Sequence, residues 1–267
     1  MMRALWTASS GMAAQQFNVD VISNNLSNVN TTAYKKDRVE FKDLLYETLD
    51  RAYVLEGGGK PVNLQVGHGT MPIATIKNFE KGNFESTSNP LDFAIDGEAF
   101  FMVRGPKGDV VYTRDGSFKA SITEQGKMLT TSDGYPVLDE AESEIYLDDI
   151  DISMLSVSPE GEMTYEDSEG AMTSTGQRIG LVKFENRNGL VSIGKNFYTR
   201  TSASGDPVAD SESGKRSSLV QRFLESSNVT VVEEMVKLIV AQRAYEINSK
   251  AIQSADEMLG MANNLRR

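Results

Sequence analysis

The chain has 267 residues, 39% apolar and 24% charged, a balance that suits a folded protein of one large or two modest domains. Its formal charge of −11 argues against binding a phosphate backbone, which needs clustered Lys and Arg. With no cysteine and a single histidine, His68, it excludes disulfides, thiolate zinc sites, thiol nucleophiles and multi-histidine metal centres.

The first thirty residues carry a heptad pattern. Leu5, Met12, Val19 and Leu26 recur every seven residues, and Ala8, Gln15, Ile22 and Val29 follow each by three. Both rows fall on one helical face, as in the seam of a coiled coil. Polar Gln15, Gln16, Asn18 and Asp20 occupy the stretch where a cleavable signal peptide would need an apolar core, so no such signal is expected. The cluster Asn24, Asn25, Asn28 and Asn30 then ends the helix with residues that favour caps and turns.

Between residues 31 and 72 the reading is transitional. Phe41 to Tyr46 suggests an apolar turn or short helix, and Gly57 to Pro61 a loop. From Ile73 to Thr199 short strands and frequent turns replace the helical period. Leu91, Phe93 and Ile95 alternate with Asp92, Ala94 and Asp96, predicting a half-buried strand. Pro106 to Asp109, Asp115-Gly116, Gln125-Gly126, Asp133-Gly134, Pro159 to Gly161 and Asn188-Gly189 read as turns of an antiparallel β domain. Residues 201–218, rich in Ser, Gly and Asp, resemble a return linker.

The C-terminus repeats the heptads. Val231, Leu238, Tyr245, Ile252 and Leu259 form one row; Ala241, Asn248, Ala255 and Ala262 form a second, of mostly small side chains that admit a close neighbour. Thr230 and Glu233 fit a capping box at its start. Val232, Met235, Val236, Ile239 and Val240 lie off the main row, so the helix is apolar on nearly all sides where it begins. That distribution predicts several neighbours rather than one. Burying the seam alone does not offset the ordering of both ends, which predicts arms that order among copies of the chain.

The expected fold is α+β and multidomain: N- and C-terminal helices pairing as a coiled-coil-like α domain, with a central antiparallel all-β domain. The expected divisions are 1–30 plus 228–267 for the helices, 31–72 plus 200–227 for a connecting segment, and 73–199 for the β domain. The subunit-packing candidates are Leu5, Met12, Val19, Ile22, Leu26, Val29, Val231, Leu238, Tyr245, Ile252 and Leu259.

Catalytic and cofactor readings are weak. Gly58-Gly59-Lys60 departs from a phosphate loop, with Val54 where the first Gly belongs and Pro61 after Lys. His68 sits in a Gly-flanked loop. The acidic stretch Asp139, Glu140, Glu142, Glu144, Asp148, Asp149 and Asp151 lacks the spacing of a calcium loop. Asp92, Asp96 and Asp115, the candidates for a glycosidase carboxylate pair, have better explanations in strands and turns. No enzyme activity and no cofactor, metal, small-molecule substrate or nucleic-acid partner are expected.

Ser10 to Gln16 and Val21 to Thr31 resemble the N-terminal signature of the rod and hook proteins of the bacterial flagellum. Ser227 to Val229, Glu233 to Met235 and Gln242 to Lys250 resemble the C-terminal one. Asp92 to Gly97, Tyr112 to Phe118 and Gly194 to Tyr198 are similar to the rod proteins, and Arg3 to Trp6 with Asp43 to Tyr46 to members of the distal rod. Ala33 and Ala99 stand where that family usually has Gly. The resemblance implies a subunit exported through the flagellar type III apparatus into the cell envelope and polymerised helically into a rigid, torque-transmitting tube. Its implied partners are further copies, proximal rod proteins, the hook protein and ring (bushing) proteins. It also associates Glu47 to Gly69 with straightness of the rod. The alternatives are a proximal rod or hook subunit, or a secreted carbohydrate-active β protein.

Overall fold

The structure, a computed structural model, describes residues 2–55, 58–60, 62–123, 126–147, 151–166, 172–212 and 216–264. The chain divides into two compact units, one made of Met1–Ser27, Asp37–Asn78 and Thr230–Arg267, the other of Asn28–Lys36 and Phe79–Val229.

The first unit holds both long helices, α1 (Met2–Ser27) and α2 (Val231–Asn264). They pack on each other within the single chain. Asn25 meets Glu234, and Gly11 meets Asn248 so closely that an added Cβ would lie 2.8 Å from the Asn248 amide nitrogen. These ties are fourteen residues apart on each helix in opposite senses, so the helices run antiparallel.

Six strands complete this unit: β1 (Asp37–Asp43), β2 (Tyr46–Asp50), β3 (Tyr53–Leu55), β4 (Gly58–Lys60), β5 (Leu64–Gly67) and β6 (Thr70–Lys77). They pair β1 with β6, β2 with β5 and β3 with β4, all antiparallel. Backbone bonds Leu44 N–H to Gly69 O and His68 N–H to Leu45 O carry the pairing across the first junction. β1/β6 and β2/β5 thus form one two-stranded ribbon, roughly 45 Å long at about 3.3 Å per residue. Phe41 to Tyr46, expected as a turn or short helix, is instead the exit of β1 and the entry of β2. His68 sits between β5 and β6, and Gly57 and Pro61 lie outside the described residues. Three ties run down α1 onto the ribbon: Asn25 to Asp37, the Thr70 N–H to Ser10 Oγ at 3.4 Å, and Arg3 to Glu47 at 2.6 Å.

The second unit comprises β7 (Phe84–Ser86), β8 (Phe93–Asp96), β9 (Phe100–Arg104), β10 (Val110–Thr113), β11 (Lys119–Thr123), β12 (Gly126–Thr130), β13 (Leu155–Val157), β14 (Glu162–Glu166), β15 (Met172–Arg178), β16 (Leu181–Lys183), β17 (Val191–Gly194), β18 (Phe197–Thr199), β19 (Val208–Ala209), β20 (Ser218–Gln221) and β21 (Phe223–Glu225). The central sheet has the order β17-β18-β10-β9-β16-β19, with antiparallel neighbours throughout. Alternation along β9 divides its side chains between two cores. Phe101 joins Phe93, Phe118, Leu129, Ile145 and Leu147 on one side. Phe100 and Met102 join Phe79, Tyr112, Phe184 and Tyr198 on the other. Edge-to-face rings tighten both layers, with Phe101–Phe118 centroids 5.0 Å apart and Tyr112–Phe184 4.7 Å.

Two sequence expectations change here. Leu91 to Ile95 is buried throughout, Asp92 and Ala94 included, because β8 pairs with β20 inside the unit. Asp115-Gly116 does not close a hairpin: β10 pairs with β9 and β18, while β11 pairs with β12. The Gly116 backbone instead presses against Phe93, where a Cβ would lie 1.9 Å from the carbonyl oxygen. Within the segment expected to connect, 200–227, strands β19, β20 and β21 pair with β16, β8 and β7.

Ala33 adopts φ +56°, the left-handed region that favours glycine. It is held there by its N–H donating to Glu225 O at 2.7 Å, so the bend persists without the glycine. Ala33→Gly is expected to relieve about 1 kcal/mol of strain, less the entropy glycine adds to the unfolded chain. Thermal unfolding measures the outcome: a melting temperature equal to or above that of the parent.

Candidate assembly surface

The candidate packing residues differ in exposure within the single chain. Ile22 is buried, and Leu5, Met12, Val19, Leu26, Leu238, Ile252 and Leu259 are half-buried. Val231 and Tyr245 are exposed, and Val29 belongs to the second unit, past the end of α1. The fully buried positions are Ala8, Ala14, Ile22 and Asn25 on α1, and Glu234, Ala241 and Ala255 on α2. The small second row of α2 therefore forms the closest approach, and the larger first row flanks it. Short side chains let helix backbones come near, and longer neighbours close the sides.

Asn25 and Glu234 are polar yet 1% exposed. Asn25 accepts from the Asp37 N–H at 2.9 Å and donates to the Asp37 carbonyl at 2.8 Å and to Glu234 Oε2 at 3.2 Å. Lys237 donates to Glu234 Oε1 at 2.6 Å. The asparagine cluster reads locally as a helix end, which concealed this partner 209 residues away.

The remaining faces of this unit are unusually apolar. Trp6 is 70% exposed, Val232 71% and Leu45 85%. Met235, Val236, Ile239, Val240 and Ile247 continue this surface along α2, and Tyr46, Leu49, Leu64 and Ile73 along the ribbon. Large contiguous apolar patches are rare on the surfaces of monomeric soluble proteins.

The second unit contains a charged cluster with no exposure: Lys35 and Arg114 are 0% and 1% exposed, and Glu225 is 1%. Glu225 Oε1 accepts from Lys35 Nζ at 2.6 Å and from the Gly82 N–H at 2.9 Å; Oε2 accepts from Arg114 Nε at 3.0 Å. Lys35 also donates to Glu80 O, and Arg114 to the carbonyls of Ala99, Ile95 and Gly97. Burial pushes the Glu225 carboxyl up, but Arg114 and Lys35 outweigh it and hold the group below its ordinary range. Burial, reinforced by Arg114 and opposed by Glu225, lowers the Lys35 ammonium from 10.5 to about 8. Between those two pH values the unfolded chain carries the extra proton, so the Lys35 contribution to stability grows as pH rises. That rise, followed by calorimetry, is expected to disappear in Lys35→Met.

The catalytic candidates are committed elsewhere. Asp92 accepts from Asn89 at 2.8 Å, Asp96 pairs with Lys81, and Asp115 accepts from the Ser117 N–H at 3.0 Å. Burial raises the Asp115 carboxyl, with the Ser117 hydrogen bonds opposing. In the acidic stretch, Asp139 accepts from the Arg178 N–H, Glu144 pairs with Arg104, and Asp151 accepts from the Ser153 N–H. Asp148 and Asp149 lie outside the described residues. Among the described residues no three His, Cys, Asp or Glu side chains gather as a metal cage, and no helix is long and apolar enough to cross a membrane.

Comparison with known proteins places this architecture. Residues 5–35 match the family described as flagella basal body rod protein, and residues 94–165 the flagellar hook protein FlgE/F/G D1 domain. Residues 220–265 match the flagellar basal body rod FlgEFG protein C-terminal family. The chain is 48% identical to the flagellar basal-body rod protein FlgG of Borreliella burgdorferi, over 100% of both chains. It is 41% identical to that of Caulobacter vibrioides, over 99% of this chain and 100% of the relative. Against that of Bacillus subtilis the figure is 37%, over 100% of both. Likeness of this degree along the whole length means that the chain belongs to the FlgG family of flagellar basal-body rod proteins.

Proposed function

We propose that this structural subunit of the flagellar basal-body rod polymerises helically through its helical unit into the distal part of the rod. The carrying observation is the apolar surface that α1, α2 and the ribbon leave uncovered in the single chain. A surface helix of a self-contained protein has one apolar stripe, whereas α2 shows Val236 and Ile239 on faces away from Glu234 and Ala241, its buried positions. Neighbouring copies cover those faces. The candidates Leu5, Met12, Val19, Ile22, Leu26, Val231, Leu238, Tyr245, Ile252 and Leu259 line or flank the helix pair, which packs with coiled-coil-like heptads, and Val29 follows it. The second unit, cored by two layers of aromatics, forms the outer wall, and the shaft transmits torque to the hook.

Full-length likeness to FlgG proteins supports a distal position over a proximal rod or hook subunit. The same reading supplies the partners: further copies, proximal rod proteins, the hook protein, ring proteins and the flagellar type III export apparatus, with no enzymatic step or cofactor. Val236→Glu and Ile239→Glu test it. Both side chains are 55% exposed, so the isolated subunit is expected to melt within about 0.5 kcal/mol of the parent. Sedimentation and electron microscopy are expected to show no rod. Rods of normal length from both variants overturn the reading.

A further inference from the structure

We propose that Asn25 and Glu234 are specificity-determining residues of the helical unit: together with the Asp37 backbone they fix one register and one axial phase for the α1/α2 pair. The inference rests on the helices being the assembling surface and goes beyond it by naming what selects their geometry. A seam of alanines is permissive, because Ala8, Ala14, Ala241 and Ala255 present similar small surfaces at several helix offsets. Apolar contact is non-directional and does not distinguish those offsets.

A buried amide and carboxylate do distinguish them. In the observed register the Asp37 N–H and C=O face the Asn25 side chain and Glu234 Oε2 stands 3.2 Å away. A shift of one helical turn removes the Glu234 partner and leaves polar atoms without solvent, a penalty no alanine contact offsets. Glu234 meets its second partner, Lys237, within its own helix, so the charge remains partnered while its other oxygen reads α1. A single buried polar residue setting register at some loss of stability is established in helical pairs. Here the polar contact joins three segments, α1, β1 and α2, at one point, so it also fixes where the ribbon leaves the helices.

The absence of cysteine provides a clean test. Asn18 and Ala241 lie midway between the two interhelical ties, seven residues from each, and are opposite one another in the observed register. Oxidative cross-linking of the full chain carrying Asn18→Cys with Ala241→Cys reports that register. Asn18→Cys with Asn248→Cys or with Glu234→Cys reports a slip of one heptad either way, the last in a chain that has lost Glu234. In the parent, the 18/241 pair is expected to exceed the 18/248 pair at least tenfold. Adding Asn25→Leu with Glu234→Met is expected to erase that ratio to within threefold without lowering the melting temperature, and to give rods of irregular curvature. Glu234→Gln alone, which keeps an acceptor for Asn25, is expected to keep the tenfold ratio. A parent without the tenfold preference, or a double variant that retains it, overturns the proposal. The cross-link is read in the isolated subunit, so it stands apart from failure of the assembly reading, which appears as absence of rods from the parent itself.

Discussion

Glu225→Gln is expected to destabilise the second unit by about 3–5 kcal/mol, because it leaves two buried cations around a neutral group. At roughly 2–4 °C per kcal/mol for a unit of this size, the melting temperature falls by about 6–20 °C. Among the described residues, the other hydrogen-bond acceptors of Lys35 and Arg114 are the carbonyls of Glu80, Ala99, Ile95 and Gly97, which carry no formal charge. Lys35→Met is expected to cost far less, since it leaves one anion facing one cation, Arg114, with the Gly82 N–H still donating. The double variant Lys35→Met/Glu225→Gln is therefore expected to be more stable than Glu225→Gln alone, an inversion that counting bonds does not give. Calorimetry of the three proteins decides it, and equal melting of Glu225→Gln and parent would remove the cluster from the account of stability.

The second large effect is on assembly. Leu238→Asp and Ile252→Asp place a charge at half-buried positions flanking the alanine approach between the helices. Each loses the burial of its aliphatic side chain and desolvates a carboxylate, on the order of 2–3 kcal/mol at the helix pair. Both are expected to abolish rod formation while the second unit, which shares neither residue, keeps its thermal transition. The contrast with Val236→Glu is informative, since that exposed position is expected to lose assembly with the helix pair intact. Near-normal rods from Leu238→Asp would mean that the intrachain pair is not part of the assembling surface.

How far the fold is legible differs by element. The terminal helices announce themselves because seven-residue rows of Leu, Val and Ile are a local signal, and Pro106 to Asp109 marks the turn between β9 and β10 because Gly108 takes φ +83° there. The ribbon is illegible for a physical reason. Tyr46 to Asp50 is exposed on both faces, so no alternation of apolar and polar residues records the strand. Likewise Asp115-Gly116 carries hairpin chemistry, but its glycine is required by the contact with Phe93, a partner that sequence spacing does not reveal. The polar cluster is the hardest case. Lys35, Arg114 and Glu225 come from three distant segments, and each alone reads as a surface charge.

Part of that cluster lies close to where the chain changes unit. The backbone passes between the two units four times, after Ser27, Lys36, Asn78 and Val229, and two of these passages, after Lys36 and after Val229, flank the Lys35–Glu225 pair. Lys35 stands one residue from the former and Glu225 four residues from the latter, joined by a 2.6 Å ion pair. The ion pair thus ties the chain beside one of these passages to the chain beside the other, inside the second unit.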